Sequence, residues 1–468
     1  MSSPDERSDI RGAVPHVAPL MRATQPTFHF NTPILRAMIV AAGLASQAPG
    51  SLAFEAMLMQ IITKARLALY PVVAMLAVAL AALQPARAAG VTDTEIRIGN
   101  IMPYTGPLAA FASIGRAEAA YFDMINERGG INGRKVRFIS RDDSSNPRTA
   151  IEQTQELVEQ ERVHLMFGSF GTPSNLATRT YLNERSIPQL FVASGDEEWA
   201  HPKRFPWTMG WQPTFRSEGR IYANYIQASY PSRKIAVLWQ NDQFGRDLFR
   251  GLQEGLGITA NMIVADIAIE ADMSIDTQVD ILKNSGAEVL VLNCAPPISA
   301  RAIRRAAELD WHPQLVLVNA AASIANALRP AGLQNSVGVI STSFLKDASD
   351  TTWKDDPAVM DWLAFMDKYY PDGDKEDGNA IFGYAAAATL VQVLTQCGDD
   401  LSRENIMRQA ASLRNYQSGI VLPGIAMNTG PADFHPIKQM RLVQFDGSAW
   451  QPIGDVIESA FARKPGDN

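Results

Sequence analysis

The chain has 468 residues, with 42 Lys+Arg against 49 Asp+Glu, 46% hydrophobic residues and 2 cysteines. That length allows two or three domains with a sizeable core. The charged fraction of 19% excludes a disordered polyelectrolyte, and two cysteines with six histidines exclude a disulfide scaffold and argue against a His-built metal centre.

The net charge of −7 divides unevenly. Residues 1–88 carry 7 basic and 4 acidic side chains, which leaves 35 basic and 45 acidic ones for residues 89–468. The body is therefore acidic, and nothing in it points to nucleic acid. The basic part carries an export signal. Lys64 and Arg66 precede a mostly apolar run from Leu67 to Leu83, which leads to Ala86-Arg87-Ala88, in the order of a signal peptide with cleavage after Ala88. A retained membrane anchor is the alternative, but 17 residues rich in alanine stand at the bottom of the spanning range. The residues before Met59 have no sustained period and place Pro at 4, 15, 19, 26, 33 and 49. We expect residues 1–58 to be a non-structural extension, residues 59–88 the signal peptide, and translation to start at Met57 or Met59.

From Glu95 onward strands and helices alternate. Apolar or alternating strands are predicted at 96–101, 135–140, 163–167, 189–192, 235–239, 263–269, 289–292 and 315–318. Helical spacing is predicted at 114–128, 150–160, 174–183, 215–229, 248–256, 276–284, 299–309 and 384–396. Gly129-Gly130 closes the first helix and Asn132-Gly133 makes the next turn. Such alternation implies parallel sheets covered on both faces. The passage Phe205–Phe215, with Pro206, Trp207, Trp211 and Pro213, looks like a crossing, after which the pattern starts afresh. The expected fold class is α/β, as two doubly wound lobes.

Several blocks carry a family resemblance. These are Ile96-Arg97-Ile98-Gly99, Thr105-Gly106-Pro107, Asn126 to Arg134 (NERGGINGR), Asp142-Asp143 with Pro147, and Pro188-Gln189-Leu190-Phe191 leading to Ala193-Ser194-Gly195. In order and spacing this stretch resembles the periplasmic solute-binding proteins of branched-chain amino acid ABC transporters, the leucine/isoleucine/valine-binding type. The second half fits through Lys234-Ile235-Ala236-Val237 and Asp242-Gln243-Phe244-Gly245. The resemblance covers about residues 95–455. It implies a periplasmic binding protein of type I, with three crossings near 209–211, 339–343 and 422–425. Lobe I would comprise residues 89–210 plus 341–422, and lobe II residues 211–340 plus 423–468. It further implies periplasmic localisation, a monomer, no cofactor and no metal, a small carboxylate, amide or amino acid as ligand, and a permease with its ATPase subunits as partners.

The ligand-binding residues expected on this basis are Phe111, Thr172, Ala193, Gly195, Phe244, Ala295 and Asn319. Thr172 lies in a loop, Gly168 to Ser174, that follows a strand and opens a helix. Its hydroxyl suits a carboxylate, and a Ser/Thr helix cap is the alternative. Ala193 and Gly195 flank a strand end where small residues let a ligand approach backbone, and a plain turn is the alternative. Phe111 and Phe244 match aromatic contacts, with core packing as the alternative.

Two departures from the family matter more. Amino acid binders of this type hold an acid where this chain has Asn319, and often an aromatic where it has Ala295. A neutral amide cannot compensate a buried ammonium, so the ligand is expected to lack one and to be larger. Asp196, Glu197 and Glu198 are a candidate replacement charge, or else a surface acidic cluster. Cys294 and Cys397 are expected to be free, buried thiols, and Asp142-Asp143 a strand-end turn and helix cap. The chain lacks G-x-x-x-x-G-K-[ST], G-x-G-x-x-G, H-E-x-x-H and G-x-S-x-G, and Ser343-Phe344-Leu345-Lys346 fits S-x-x-K without its companion motifs. No enzyme is expected. The competing classes are a hydrolase and a ligand-sensing receptor domain of the same fold, which would need a membrane span and a signalling domain after Asn468.

Overall fold

The computed structural model describes residues 89–270 and 273–458, with Ala56–Met57, Met59–Gln60 and Thr63–Lys64 besides. The expected extension apart from Ala56–Met57, most of the signal peptide and its cleavage site lie outside the described residues.

The first sheet is built from β1 (Glu95–Met102), β2 (Lys135–Asp142), β3 (Leu165–Phe167), β4 (Gln189–Val192) and β5 (Thr208–Gly210). Its order is β2-β1-β3-β4-β5, and every pairing is parallel. Strands covered on both faces must be apolar on both, and β3 and β4 are buried at every residue. The linking helices are α1 (Ala112–Glu127), α2 (Pro147–Glu159) and α3 (Thr172–Glu184).

The second sheet repeats this topology. It contains β6 (Ile235–Gln240), β7 (Ile263–Ile269), β8 (Val289–Asn293), β9 (Gln314–Leu317), β10 (Ile340–Ser343), β11 (Gln439–Phe445) and β12 (Trp450–Glu458). The order β7-β6-β8-β9-β10 mirrors that of the first sheet, and β11 and β12 add an antiparallel edge. α4 (Phe215–Ser229) leads into β6, and between these strands run α5 (Gln243–Leu256), α6 (Asp276–Asn284) and α7 (Pro296–Glu308). After β10 the chain returns to the first sheet as α8 (Pro357–Tyr369), α9 (Gly378–Gln396) and α10 (Arg403–Ala410). α9 packs backbone to backbone on α1, where a Cβ on Gly383 would stand 2.3 Å from the Ile114 carbonyl oxygen.

Three expected boundaries shift. Ser341–Ser343 belong to β10 of the second lobe, although the sequence assigns them to the first. Ser341 and Thr342 are polar yet fully buried, which is possible because Ser341 Oγ donates to Leu317 O at 2.8 Å and Thr342 Oγ1 to Glu218 at 3.1 Å. Residues after 422 do not pass at once to the second lobe. Met427 pairs with Tyr416, and Thr429 Oγ1 donates to Ala410 O at the end of α10, so the third crossing comes later, just before β11. The first crossing runs over Trp211–Thr214, because residues 208–210 are a strand. Trp211 anchors it to the first lobe through Nε1–H to Thr389 Oγ1 at 3.1 Å on α9.

Candidate functional site

In each sheet the strand order reverses beside the first strand, at β1/β3 and at β6/β8, and ligands of open α/β sheets lie beyond the carboxyl ends of strands at such points. The two reversal points face one another across a cavity of about 150 Å³.

The first-lobe wall is formed by the loops after β3 and β4. They are zipped together by Gly171 N–H to Ala193 O (3.2 Å) and Ala193 N–H to Ser169 O (3.0 Å). This brings Thr172 Oγ1 to 2.6 Å from Ser194 Oγ. The cap of α3 is Gly171, at φ 89°, with no side chain to offer. Thr172 therefore does not cap the helix, and the amides of the first turn have no side-chain oxygen bonded to them. A pair of hydroxyls at an uncapped helix start suits a carboxylate. Beside it Phe170 stacks on Phe111, ring centroids 4.3 Å apart.

The second-lobe wall comes from the ends of β6, β8, β9 and β10. Phe244, in the first turn of α5, meets Phe215 edge-on at 4.8 Å. Ala295 precedes α7 and leaves room, as its size suggests. Asn319 lies over a buried polar cluster. Its backbone N–H donates to Glu218 at 2.6 Å and its side-chain amide to Thr342 O at 2.6 Å. Burial pushes the Glu218 carboxyl up to about 7, against the opposing pull of donors from Tyr222, Asn319 and Thr342.

Six of the seven expected residues line this cavity: Phe111, Thr172, Ala193, Phe244, Ala295 and Asn319. Gly195 does not. Its Cβ would stand 2.6 Å from Pro213 O and 3.0 Å from the Phe215 ring, so it is small to let the first crossing pass. The acidic run lies outside the cavity as well. Glu197 pairs with Arg216 at 2.9 Å and Glu198 with Arg179 at 3.1 Å, while Asp196 is buried and accepts from Glu198 N–H. Neither a replacement charge nor a surface cluster describes Asp196. The Asp142-Asp143 pair makes a turn, accepting from the Ser144 and Ser145 amides, but the cap of α2 is Asn146.

The S-x-x-K pattern is not a catalytic pair. Ser343 Oγ donates to Leu345 O, and Lys346 Nζ is held by Asp356 at 2.7 Å. Both cysteines are free and buried, and burial raises both thiols, Cys397 to about 12. Among the described residues no cluster of three or more metal-ligating side chains occurs.

The three carboxylates that line the cavity all have partners. Asp242 caps α5 through Gly245 N–H and accepts from Gln240 Nε2 at 2.6 Å, Asp347 accepts from Ser349, and Glu376 pairs with Arg329 at 2.8 Å. Sequence reasoning passed over Phe170, Ser194 and Gln240, which also line the cavity. The rule that sites lie at strand ends could have found Gln240, the last residue of β6.

A model of the periplasmic binding proteins matches residues 95–449. The chain belongs to that family. It is thus a solute-binding protein with a two-lobed type I fold. Among curated relatives it is similar to an amino acid binding protein of Pseudomonas aeruginosa, 23% identical over 317 residues, 65% of this chain and 79% of the relative. Among solved structures, a branched-chain amino acid ABC transporter protein of Thermus thermophilus with bound valine superimposes at TM-score 0.72, with 17% identity over 79% of this chain and 98% of that one. A solute-binding protein of an ABC transporter from Rhodopseudomonas palustris, in complex with 3,4-dihydroxybenzoic acid, does so at 0.66, with 17% identity over 78% and 98%. At these identities the solved structures establish the fold and not the ligand.

Proposed function

We propose that the cleft captures a small carboxylate without an α-ammonium group and delivers it to an ABC permease driven by ATPase subunits. The export signal read at 59–88 supports a periplasmic site of action, and the structural relatives that belong to ABC transporters support the partners.

The observation that carries the ligand class is the asymmetry of the walls. Thr172 and Ser194 hydroxyls at the uncapped start of α3 form an anion-accepting end. Opposite them stand Asn319, whose amide is bonded within its own lobe, and carboxylates already engaged by protein donors. An ammonium entering there would lose its water without gaining a free countercharge, a cost of several kcal/mol. The aromatic lining from both lobes supplies the apolar contact. Ligand held by the first lobe would be enclosed as the second rotates about the crossings, because the closed state adds contacts from the second wall.

A second reading follows from Asp242. Its carboxylate borders the cavity and could pair with the ammonium of an amino acid despite its two protein donors. A thermal-shift panel separates the two. Under the first reading 4-methylpentanoate and benzoate raise Tm more than leucine, isoleucine or valine, a ligand at a hundred times its Kd adding about 2.7 kcal/mol of apparent stability over the unliganded protein. Stabilisation by leucine alone establishes the second. Mass spectrometry of ligand released from freshly purified protein identifies the natural solute directly.

A further inference from the structure

The two lobes also touch through side chains that belong to none of the crossings. From the second lobe comes the stretch between β9 and β10, which holds a single π-turn, Ile324–Leu328, followed by the short helix Arg329–Ala331. From the first lobe comes the loop between α8 and α9. Ser323 Oγ accepts from the Asn326 N–H at 3.2 Å, which fixes the turn, and donates across the boundary to Asp377 Oδ1 at 3.3 Å. Asn326 Nδ2 donates to the same oxygen at 3.1 Å. Arg329 adds ion pairs with Glu376 at 2.8 Å and Asp374 at 3.5 Å. The lobes cannot part without breaking these bonds.

Asp377 is 5% exposed and caps α9 through the Asn379 N–H at 3.0 Å. A carboxylate taken out of water is costly unless protein donors replace the water, and here Ser323 and Asn326 bring donors from the opposite lobe. The backbone that presents them is a π-turn, a rare geometry that concentrates at functional sites. Ser323 and Glu376 also border the cavity, so the contact stands at the edge of the cleft. We propose that Ser323, Asn326 and Arg329 form a latch that closes on Asp374, Glu376 and Asp377 and holds the lobes together with or without a solute. The solute then supplies only part of the closing free energy, and the latch sets how long an enclosed solute stays. Its bonds run from protein to protein, so it works whatever the solute is and goes beyond the ligand class proposed above.

The test is pulsed electron resonance between nitroxide labels on Ala364→Cys, in α8 of the first lobe, and Gln334→Cys, just before β10 of the second, both exposed positions outside the latch. Cys294 and Cys397 are buried and leave the label to the introduced thiols. With no solute added, the doubly labelled protein should show one narrow distance. Asn326→Ala removes a bond to a charged group and should lower the ratio of closed to open molecules about 10-fold. Arg329→Ala removes half-exposed ion pairs and should lower it about 2- to 5-fold, and the double variant should show a distinct population at longer distance. About 1 M NaCl should lengthen the distances where Arg329 is present and change little in Arg329→Ala, because screening acts on that ion pair. A variant that had merely lost its fold would give broad distances at every salt concentration, and Arg329 lies at the surface, where its removal spares the core. A broad or long distribution in the protein with an intact latch, or one that both substitutions leave unchanged, overturns the latch. Either result leaves the carboxylate reading standing, since that is decided by the ligand panel alone.

Discussion

Asp247→Asn should stabilise the protein, and only above a definite pH. Asp247, on α5 of the second lobe, is 3% exposed, and its Oδ2 has no protein donor. It faces Asp196 and Glu197 from the first lobe, with Arg216 and the Glu197 amide as partial compensation. Asp196 in turn faces Glu197, Glu198 and Arg179. Burial, reinforced by these like charges, pushes Asp247 up to about 7 and Asp196 up to about 6. An acid raised on folding contributes stability that is present below its unfolded value near 4 and lost as pH rises through its folded value. A rise of about 3 pH units corresponds to about 4 kcal/mol, and sharing one repulsion between two coupled groups leaves about 2 to 4. Asn keeps an acceptor for the Glu197 amide and removes the charge. Scanning calorimetry should therefore show Tm of Asp247→Asn above wild type by on the order of 2–5 °C at pH 8, with the difference much reduced at pH 4.5 and vanishing only below about pH 4. An equal shift at both pH values, or a lower Tm at pH 8, would refute the argument, since a packing effect carries no such pH dependence.

Three further outcomes are expected. Thr172→Ala removes one hydroxyl of the Thr172–Ser194 pair and should weaken carboxylate binding by about 1–3 kcal/mol in titration, with Tm little changed because Gly171 and not Thr172 is the cap. Asn319→Glu should lower Tm most above pH 7, because it sets a second carboxylate beside Glu218, already held at about 7, and it should also weaken anionic ligands in the same thermal-shift panel. Cys294 and Cys397 are buried and free with raised thiol values, so a chromogenic thiol reagent should react slowly with native protein and count two thiols in guanidinium.

The double alternation of strand and helix was legible because parallel strands covered on both faces must be written as apolar runs. β4 (Gln189–Val192), α4 (Phe215–Ser229) and β7 (Ile263–Ile269) have the bounds the pattern predicts. β5 was not legible. It has three residues, Thr208–Gly210, inside a Pro- and Trp-rich passage, too short to show a period. β10 reads Ile-Ser-Thr-Ser and looks like exposed linker. It is a core strand only because Leu317 O and Glu218 accept its hydroxyls, and no local pattern reveals partners so distant in the chain.

The same distinction runs through the site. Positions could be read from strand ends and from the family's blocks, which is why six of seven expected residues border the cavity. Partnerships could not. Asn319 was expected as a neutral residue facing a ligand, and its neutrality also has a cause inside the protein. Its amide groups bind Thr342 O and Glu218, so the acid of this wall lies one layer deeper, buried and raised to about 7. A carboxylate at 319 would lose the side-chain bond to Thr342 O and add a second negative charge next to the residue whose backbone N–H binds Glu218, and the pair could ionise together only at a cost of several kcal/mol. The proposed rejection of an ammonium and the lobe's tolerance of a buried Glu218 thus follow from one arrangement. A reversal of ligand charge would require change at both positions, 218 and 319, rather than at the surface of the cavity alone.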